Sequence, residues 1–215
     1  HLDSDGTAVG LGSSGRLERD APTGGTPDGF TYDPADPVPT HGGQVYWAMS
    51  EMSTVGPADQ RGLLARGDVL LYRSAPLDAP VTVVGDIDLE LWVSSTAEDT
   101  DFIAKLCVVD PVGRIDVLTL GSLRAKYRES RSEPKPLPRG TAVKLDVQMN
   151  HIAYTFPTGS RIALTVTSSC FPRILPHPNR FEPAAFGTVG EPATQRVHHD
   201  REHRSRLILP VIGRG

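Results

Sequence analysis

Residues 102–109 read FIAKLCVV, and Phe102–Val109 is apolar throughout except for Lys105. A continuous apolar run of this length, bounded by turn residues, predicts a strand that is covered on both faces. The turn Asp110-Pro111-Val112-Gly113 follows it, and the apolar run Ile115–Leu120 then resumes the sheet. The centre of the chain therefore predicts a β-hairpin within a packed sheet.

Further strands are predicted on both sides of this hairpin. Apolar and polar residues alternate with period two through Ile87, Leu89, Leu91 and Val93, as expected of a strand with one buried face. Six further runs are predicted to be strands: Asp68–Arg73, Val81–Ser94, Val143–Met149, Ile152–Phe156, Arg161–Thr167 and Arg206–Ile212. With the two strands of the hairpin they make eight, and Ser122–Tyr127 could be a ninth. The one helical candidate, Ala58–Ala65, is short. This pattern predicts an all-β fold, a two-sheet antiparallel sandwich of jelly-roll type with long irregular loops.

Two segments are predicted to be irregular. Residues 1–43 are rich in Gly and Pro, and we expect a loop-like lead-in packed on the β domain formed by residues 44–215. Within the lead-in, Asp33–Pro39 contains three prolines, which favour a stiff, extended strap. Near the other end of the chain, Phe171–Arg204 has no clear periodicity. The length suits a single all-β domain.

Composition excludes several classes of partner. The net charge is −4 and the pI is about 6.0, which favours neither nucleic acid nor an anionic membrane as a partner. A transmembrane helix needs about 20 apolar residues, and the sequence has no such run. We therefore expect a soluble protein, with the cytoplasm favoured, and no cofactor. Because the chain begins at His1, we expect a fragment of a longer protein.

Cys107 and Cys170 lie within or beside apolar runs and are interpreted as buried thiols, with a disulfide between them as the alternative.

A catalytic nucleophile is not evident. The G-x-S-x-G motif, which exposes a serine on a strained strand-to-helix turn, does not occur in the 215 residues. Gly12-Ser13-Ser14-Gly15 is the nearest sequence, and it has the wrong spacing. No catalytic residue is predicted in this chain.

A series of ordered motifs nevertheless resembles one family of hydrolases. The series is Tyr32-Asp33-Pro34, Gly42-Gly43, Gly56-Pro57, Asp68-Val69-Leu70, Thr100-Asp101-Phe102, Ala104-Lys105-Leu106, Arg124–Arg128, Gly159–Ile162, Ser168–Arg173 and Leu209-Pro210. It is similar to the C-terminal jelly-roll domain of the CocE/NonD hydrolases, which include esterases, acylases and, more distantly, Xaa-Pro dipeptidyl-peptidases.

The resemblance implies a non-catalytic module of a serine ester or amide hydrolase. Its partner would be an α/β-hydrolase domain of the same chain, which carries the Ser-His-Asp triad and forms an acyl-enzyme. The resemblance further implies that Tyr46 and Trp47 approach the acyl pocket, although packing in the interdomain interface or the core is an alternative for both. An apolar docking patch exposed in isolation would allow self-association. A carbohydrate-binding module is the alternative function, because fold alone does not fix function.

Several polar clusters contain the residue types of metal or catalytic sites. His198-His199-Asp200-Arg201-Glu202-His203 has the residue types of a metal site, but a structural zinc site needs four ligands, and we interpret the cluster as solvated surface. Asp99, Asp101 and Asp110 lack the spacing of a calcium loop. We expect Asp101 to bond turn backbone or to pair with Arg124 or Arg128. Ser168 and Ser169 are interpreted as strand-end hydroxyls bonded to backbone, and His41 and His151 as structural. No metal is predicted.

Overall fold

The computed structural model describes residues 1–44, 54–182 and 189–213. Eleven strands and two short 3₁₀ helices, Gln60–Ala65 and Ala125–Tyr127, account for its regular structure. The strands are β1 Leu2–Asp3, β2 Gly15–Leu17, β3 Asp28–Tyr32, β4 Leu70–Arg73, β5 Val81–Ser95, β6 Asp101–Val109, β7 Ile115–Arg124, β8 Val143–Phe156, β9 Arg161–Thr167, β10 Ala193–His198 and β11 Arg206–Ile208.

Strand β6 lies in the interior of the sheet. It pairs antiparallel with β7 on one side and with β9 on the other. All nine of its residues are buried, because apolar side chains meet a core on each face. The prediction of a strand covered on both faces is therefore confirmed.

The strands form one curled sheet in the order β1-β2-β4-β9-β6-β7-β8-β5-β10-β3, with β11 paired to β5. We call β1, β2, β4, β9, β6 and β7 the first layer and β8, β5, β10 and β3 the second layer. Phe102 and Leu106 of the first layer pack in the same core as Leu89 and Leu145 of the second. The result is an all-β sandwich, as the sequence predicts.

The sheet turns a corner between β7 and β8. These strands share a single paired position, Gly121 opposite Met149. A Cβ atom at Gly121 would lie 2.7 Å from the carbonyl oxygen of Gln148 and 2.8 Å from the Cα atom of Met149. Only glycine allows so close an approach of two backbones, so Gly121 is what lets the second layer fold over the first.

A second, smaller core covers the outer face of the first layer. Cys107 and Val117 point outward there and pack with Val38 of the lead-in and Leu64 of the first 3₁₀ helix. Both cysteines are free and buried, and burial raises the pKa of Cys107 to about 12. The expectation of buried thiols is confirmed.

The structure corrects several sequence expectations. The lead-in, residues 1–43, is not loop-like throughout, because β1, β2 and β3 join the sheet. Strand β10 lies within the segment that was expected to be irregular, and the two strands predicted over 143–156 form the single strand β8. One pair, β2 with β4, is parallel. Short strands with Gly and Pro nearby carry too little periodicity to be recognised locally, since pairing with distant strands fixes them.

Candidate functional site

One group of side chains contains the residue types of a catalytic triad. Ser4, Asp28 and His199 meet between β1, β3 and the end of β10, and all three are buried. His199 Nε2 lies 2.9 Å from Asp28 Oδ2 and 3.1 Å from Ser4 Oγ. Ser4 Oγ also donates to both oxygens of the Asp28 carboxylate, at 2.7 and 2.8 Å.

The geometry of this group excludes triad chemistry. In a triad, the carboxylate orients one ring nitrogen and the serine hydroxyl meets the other. Here Ser4 and Asp28 contact the same nitrogen of His199, whereas Nδ1 is buried with no hydrogen-bond partner in the described part of the chain. A proton taken from Ser4 would have no relay, and the buried hydroxyl is out of reach of a substrate.

The Asp28 carboxylate instead organises the fold. It accepts hydrogen bonds from the backbone N–H of Ala8 at 2.8 Å and from the hydroxyl of Tyr72, on β4, at 2.7 Å. Burial raises the pKa of Asp28, but the hydrogen bonds from His199, Ser4, Tyr72 and Ala8 outweigh burial and leave it below its ordinary value. The Asp28 carboxylate is therefore charged, and it bonds three segments that are distant in the sequence: residues 4–8, Tyr72 and His199.

A second buried network, which the sequence analysis did not predict, surrounds Asp99. Its Oδ2 atom lies 3.1 Å from His177 Nε2 and 3.5 Å from Lys126 Nζ. His177 Nδ1 accepts the backbone N–H of Asn179 at 3.0 Å, so Nε2 carries the proton and donates to Asp99. This network fixes residues 177–179 against the start of β6.

The strap Asp33–Pro39 and the residues that follow it as far as Gln44 are anchored along the loop that follows β9. The N–H of Val38 donates to Ser169 Oγ at 2.8 Å, and the N–H of Thr40 donates to the carbonyl of Phe171 at 2.6 Å. The guanidinium of Arg173 donates to the carbonyl of Gln44 at 2.6 Å. The backbone-bonding role expected of Ser169 is confirmed. The expectation for Ser168 is wrong, since its buried hydroxyl has no partner among the described residues.

Gln60 joins the segment after the strap to strand β6. Its amide nitrogen donates to the carbonyls of His41 and Ala58, at 2.8 and 2.9 Å. Its amide oxygen accepts from Lys105 Nζ at 2.9 Å. Lys105 is only 4% exposed, so this bond gives a buried ammonium group its acceptor.

The strap leads to the predicted pocket residues. Gly43 and Gly56 form an antiparallel bridge, with reciprocal backbone hydrogen bonds of 2.7 and 3.0 Å. Tyr46 and Trp47 lie in the sequence between these glycines, and both are outside the described residues.

The histidine-rich segment separates into two environments. His199 points into the sandwich, so the interpretation of the whole segment as solvated surface is wrong. His198, Asp200 and His203 are half-buried, and their possible ligand atoms all lie within 4.8 Å of one another. No other group of three or more His, Cys, Asp or Glu side chains in residues 1–44, 54–182 and 189–213 is arranged in this way.

The remaining polar candidates do not form a shared site. Asp101 pairs with Arg124, Nε to Oδ1 at 2.9 Å, as predicted. Asp110 lies at the opposite end of β6, where its Oδ1 atom accepts the N–H groups of Val112 and Arg114. His151 is 84% exposed, with Nδ1 3.9 Å from Asp86 Oδ1, so it is a surface residue and not a structural one.

Neither 3₁₀ helix in the described ranges has the length or apolarity to traverse a bilayer.

Fold and site together define a β-sandwich domain whose Ser, His and Asp contacts are structural. Residues 4–208 match the family model described as the X-Pro dipeptidyl-peptidase C-terminal non-catalytic domain. The chain belongs to this family, which confirms the resemblance found in the sequence motifs.

Named relatives agree with this assignment. Cocaine esterase of Rhodococcus sp. (strain MB1 Bresler) is 39% identical over 189 residues, which is 87% of this chain and 32% of that protein. Among solved structures, an α-amino acid ester hydrolase superimposes with a TM-score of 0.79 and 31% identity, over 90% of this chain and 34% of that one. An aminopeptidase from a marine sediment Thaumarchaeota archaeon gives a TM-score of 0.83 and 27% identity, over 99% of this chain and 37% of that one. The chain thus spans about a third of the length of these relatives.

These findings favour the hydrolase domain over the carbohydrate-binding module. Sugar-binding faces present exposed aromatic rings. Each aromatic side chain in the described ranges is buried or half-buried, and the large apolar residues that are exposed there are aliphatic.

Proposed function

We propose that these residues act as the C-terminal β domain of a serine ester or amide hydrolase, where they stabilise a catalytic α/β-hydrolase domain of the same chain. The family match over residues 4–208 is the observation that carries the proposal. The burial of Ser4, Asp28 and His199 supports it, since the best-formed Ser-His-Asp contact in the described residues cannot act on a substrate.

The chemistry then belongs to the catalytic domain. A serine there attacks the carbonyl carbon, a histidine takes the serine proton and later returns one to the leaving group, and an aspartate orients the histidine. The present domain contributes rigidity. The pairings of β2 with β4 and of β3 with β10 support one folded unit, with residues 1–43 as the lead-in and residues 44–215 as the body of the domain.

We further propose that Tyr46 and Trp47 help to form the acyl pocket of the parent enzyme. The bonds at Gln44 and Gly43 support this idea, because they fix the point from which the segment departs. Aromatic rings suit such a role, since they supply apolar area at low entropic cost. Packing in the interdomain interface is the competing role.

The first test compares ester hydrolysis by the isolated 215-residue chain and by the protein that carries it together with a catalytic domain. With p-nitrophenyl esters of increasing acyl length, we expect saturable turnover by the longer protein and none by the isolated chain. Saturable turnover by the isolated chain would overturn the proposal.

The second test substitutes Trp47→Ala and, as a conservative control, Trp47→Phe in the longer protein. A pocket residue changes the ranking of kcat/KM among acyl groups, whereas an interface residue lowers the melting temperature with the ranking intact. An unchanged ranking would refute the pocket role of Trp47.

A further inference from the structure

His198, Asp200 and His203 form a compact set of metal-binding side chains at one end of the sandwich. His198 ends β10, and the other two lie in the turn that leads to β11. Their ligand atoms are within 4.8 Å of one another, and His203 Nδ1 is 3.0 Å from Asp200 Oδ2. Ligands around one tetrahedral zinc ion are about 3.3 Å apart, given bond lengths near 2.0 Å, so small rotations of the side chains would bring all three onto one ion.

The surrounding structure orients these side chains. Ser94 Oγ lies 2.9 Å from His198 Nε2. Asp200 Oδ1 accepts the backbone N–H groups of Glu202 and His203, at 2.8 and 2.9 Å. Partners of this kind, which hold a ligand from outside the coordination sphere, are typical of metal sites in proteins.

The ring of His203 is also packed in place. It meets the ring of Trp92 edge to face at a centroid distance of 4.9 Å, and the ring of His198 at 5.5 Å. The two imidazoles are therefore tilted neighbours, with 53° between their planes, and both are half-buried.

We propose that His198, Asp200 and His203 bind one divalent late first-row transition-metal ion, of which Zn²⁺ is the representative. Two imidazoles and one carboxylate suit this class of ion better than Mg²⁺ or Ca²⁺, which prefer oxygen ligands. Three protein ligands leave a fourth position for water, so the four protein ligands of a closed structural site are not required.

Binding would join the end of β10 to the turn before β11. The neighbouring Ser205 already links this turn to β10 and to β5. Its hydroxyl donates to the carbonyl of His198 at 2.6 Å and accepts the N–H of Trp92, on β5, at 2.8 Å. A metal ion would add a second link across the same turn. The proposal does not depend on the proposed hydrolase function, because binding is measured without substrate.

Calorimetric titration of Zn²⁺ into tag-free, metal-stripped protein that carries these residues tests the proposal. We expect one ion per chain and at least a tenfold weaker affinity in His203→Gln and in His198→Gln. His151→Gln, which changes an exposed histidine outside the cluster, should bind as the unmodified protein does. Absence of saturable binding, or equal binding by the three variants, would overturn the proposal.

A direct measurement covers the case in which a variant fails to fold. X-ray absorption at the zinc edge of the unmodified protein should show two imidazole ligands per bound ion. A spectrum with only oxygen ligands or with one imidazole would overturn the proposal whatever the variants do.

Discussion

Substitution of Asp28 by Asn tests whether the buried carboxylate holds the sandwich together. Asp28 accepts hydrogen bonds from Ser4, Ala8, Tyr72 and His199, and it is fully buried. Asparagine has nearly the same shape but carries no charge, and one of its two oxygens becomes an N–H₂ group. The change therefore removes the charge with little change of volume.

The expected cost follows from the bonds at each oxygen. If the N–H₂ group replaces Oδ2, Tyr72 and His199 lose a charged acceptor. Two charge-assisted bonds are worth about 3–6 kcal/mol, and the two neutral bonds that the amide can make in their place return about 1–3 kcal/mol. We expect Asp28→Asn to lower the free energy of unfolding by about 2–3 kcal/mol at pH 7.

The loss should depend on pH. The folded-state pKa of Asp28 lies below its ordinary value, so the native state binds fewer protons there than the unfolded state does between the two pKa values. The carboxylate then contributes stability that is fully present above about pH 4, the unfolded value, and disappears as the pH falls through the folded value. The difference between Asp28→Asn and the unmodified protein should shrink on acidification.

Urea denaturation followed by circular dichroism, at pH 7 and at about pH 3, measures both effects. Asp78→Asn is the matched control, since Asp78 is exposed and a change there should stay within about 0.5 kcal/mol. Asp28→Asn as stable as this control, or a loss that is equally large at both pH values, would refute the reasoning.

Three further predictions concern the corner, the strap and the thiols. Gly121→Ala should lower stability by about 1–3 kcal/mol in urea denaturation, because the new methyl group meets the backbone of β8. Gly67→Ala is the control, since Gly67 has open space around it. Equal urea midpoints for the two variants would contradict the close approach of the two backbones at Gly121. Gln60→Leu should lower the free energy of unfolding by about 2–4 kcal/mol, which is more than Lys105→Met should, because only Gln60→Leu leaves a buried ammonium group without its acceptor. A lower melting temperature for Lys105→Met than for Gln60→Leu would refute the role of this bond. Cys107 should react with a disulfide reagent only after unfolding, because it is buried and its pKa is about 12, so rapid labelling of the native protein would be inconsistent with the structure.

Much of the sandwich is predictable from the sequence because each of its longest strands contains a regular pattern, either a continuous apolar run or an alternation of apolar and polar residues. The run Phe102–Val109 gave a strand covered on both faces, and the alternation through Ile87–Val93 gave one with a single buried face. Strands β1, β2, β3 and β10 are not among the predicted strands. Each has only a few residues, and their pairing partners are distant in the sequence, so local periodicity carries little information about them.

Some polar contacts are likewise predictable from the sequence, and others are not. Arg124 was one of the partners expected for Asp101, because an acid at a strand start and a nearby arginine can form an ion pair, and the structure shows this pair. Asp28 stands between Pro27 and Gly29, in a context typical of an exposed turn. Its burial depends on Tyr72 and His199, which arrive from elements more than 40 residues away along the chain.

The all-β class, the family and the lack of a G-x-S-x-G motif all follow from the amino-acid sequence, since periodicity and ordered motifs are properties of a linear pattern. Which polar residues are buried depends instead on how the strands pack. Of the adjacent His198 and His199, one faces the half-buried turn with Asp200 and His203, and the other enters the sandwich to donate to Asp28. Successive side chains of an extended chain point to opposite faces, and which of those faces meets the core is settled by the strands that pack against it.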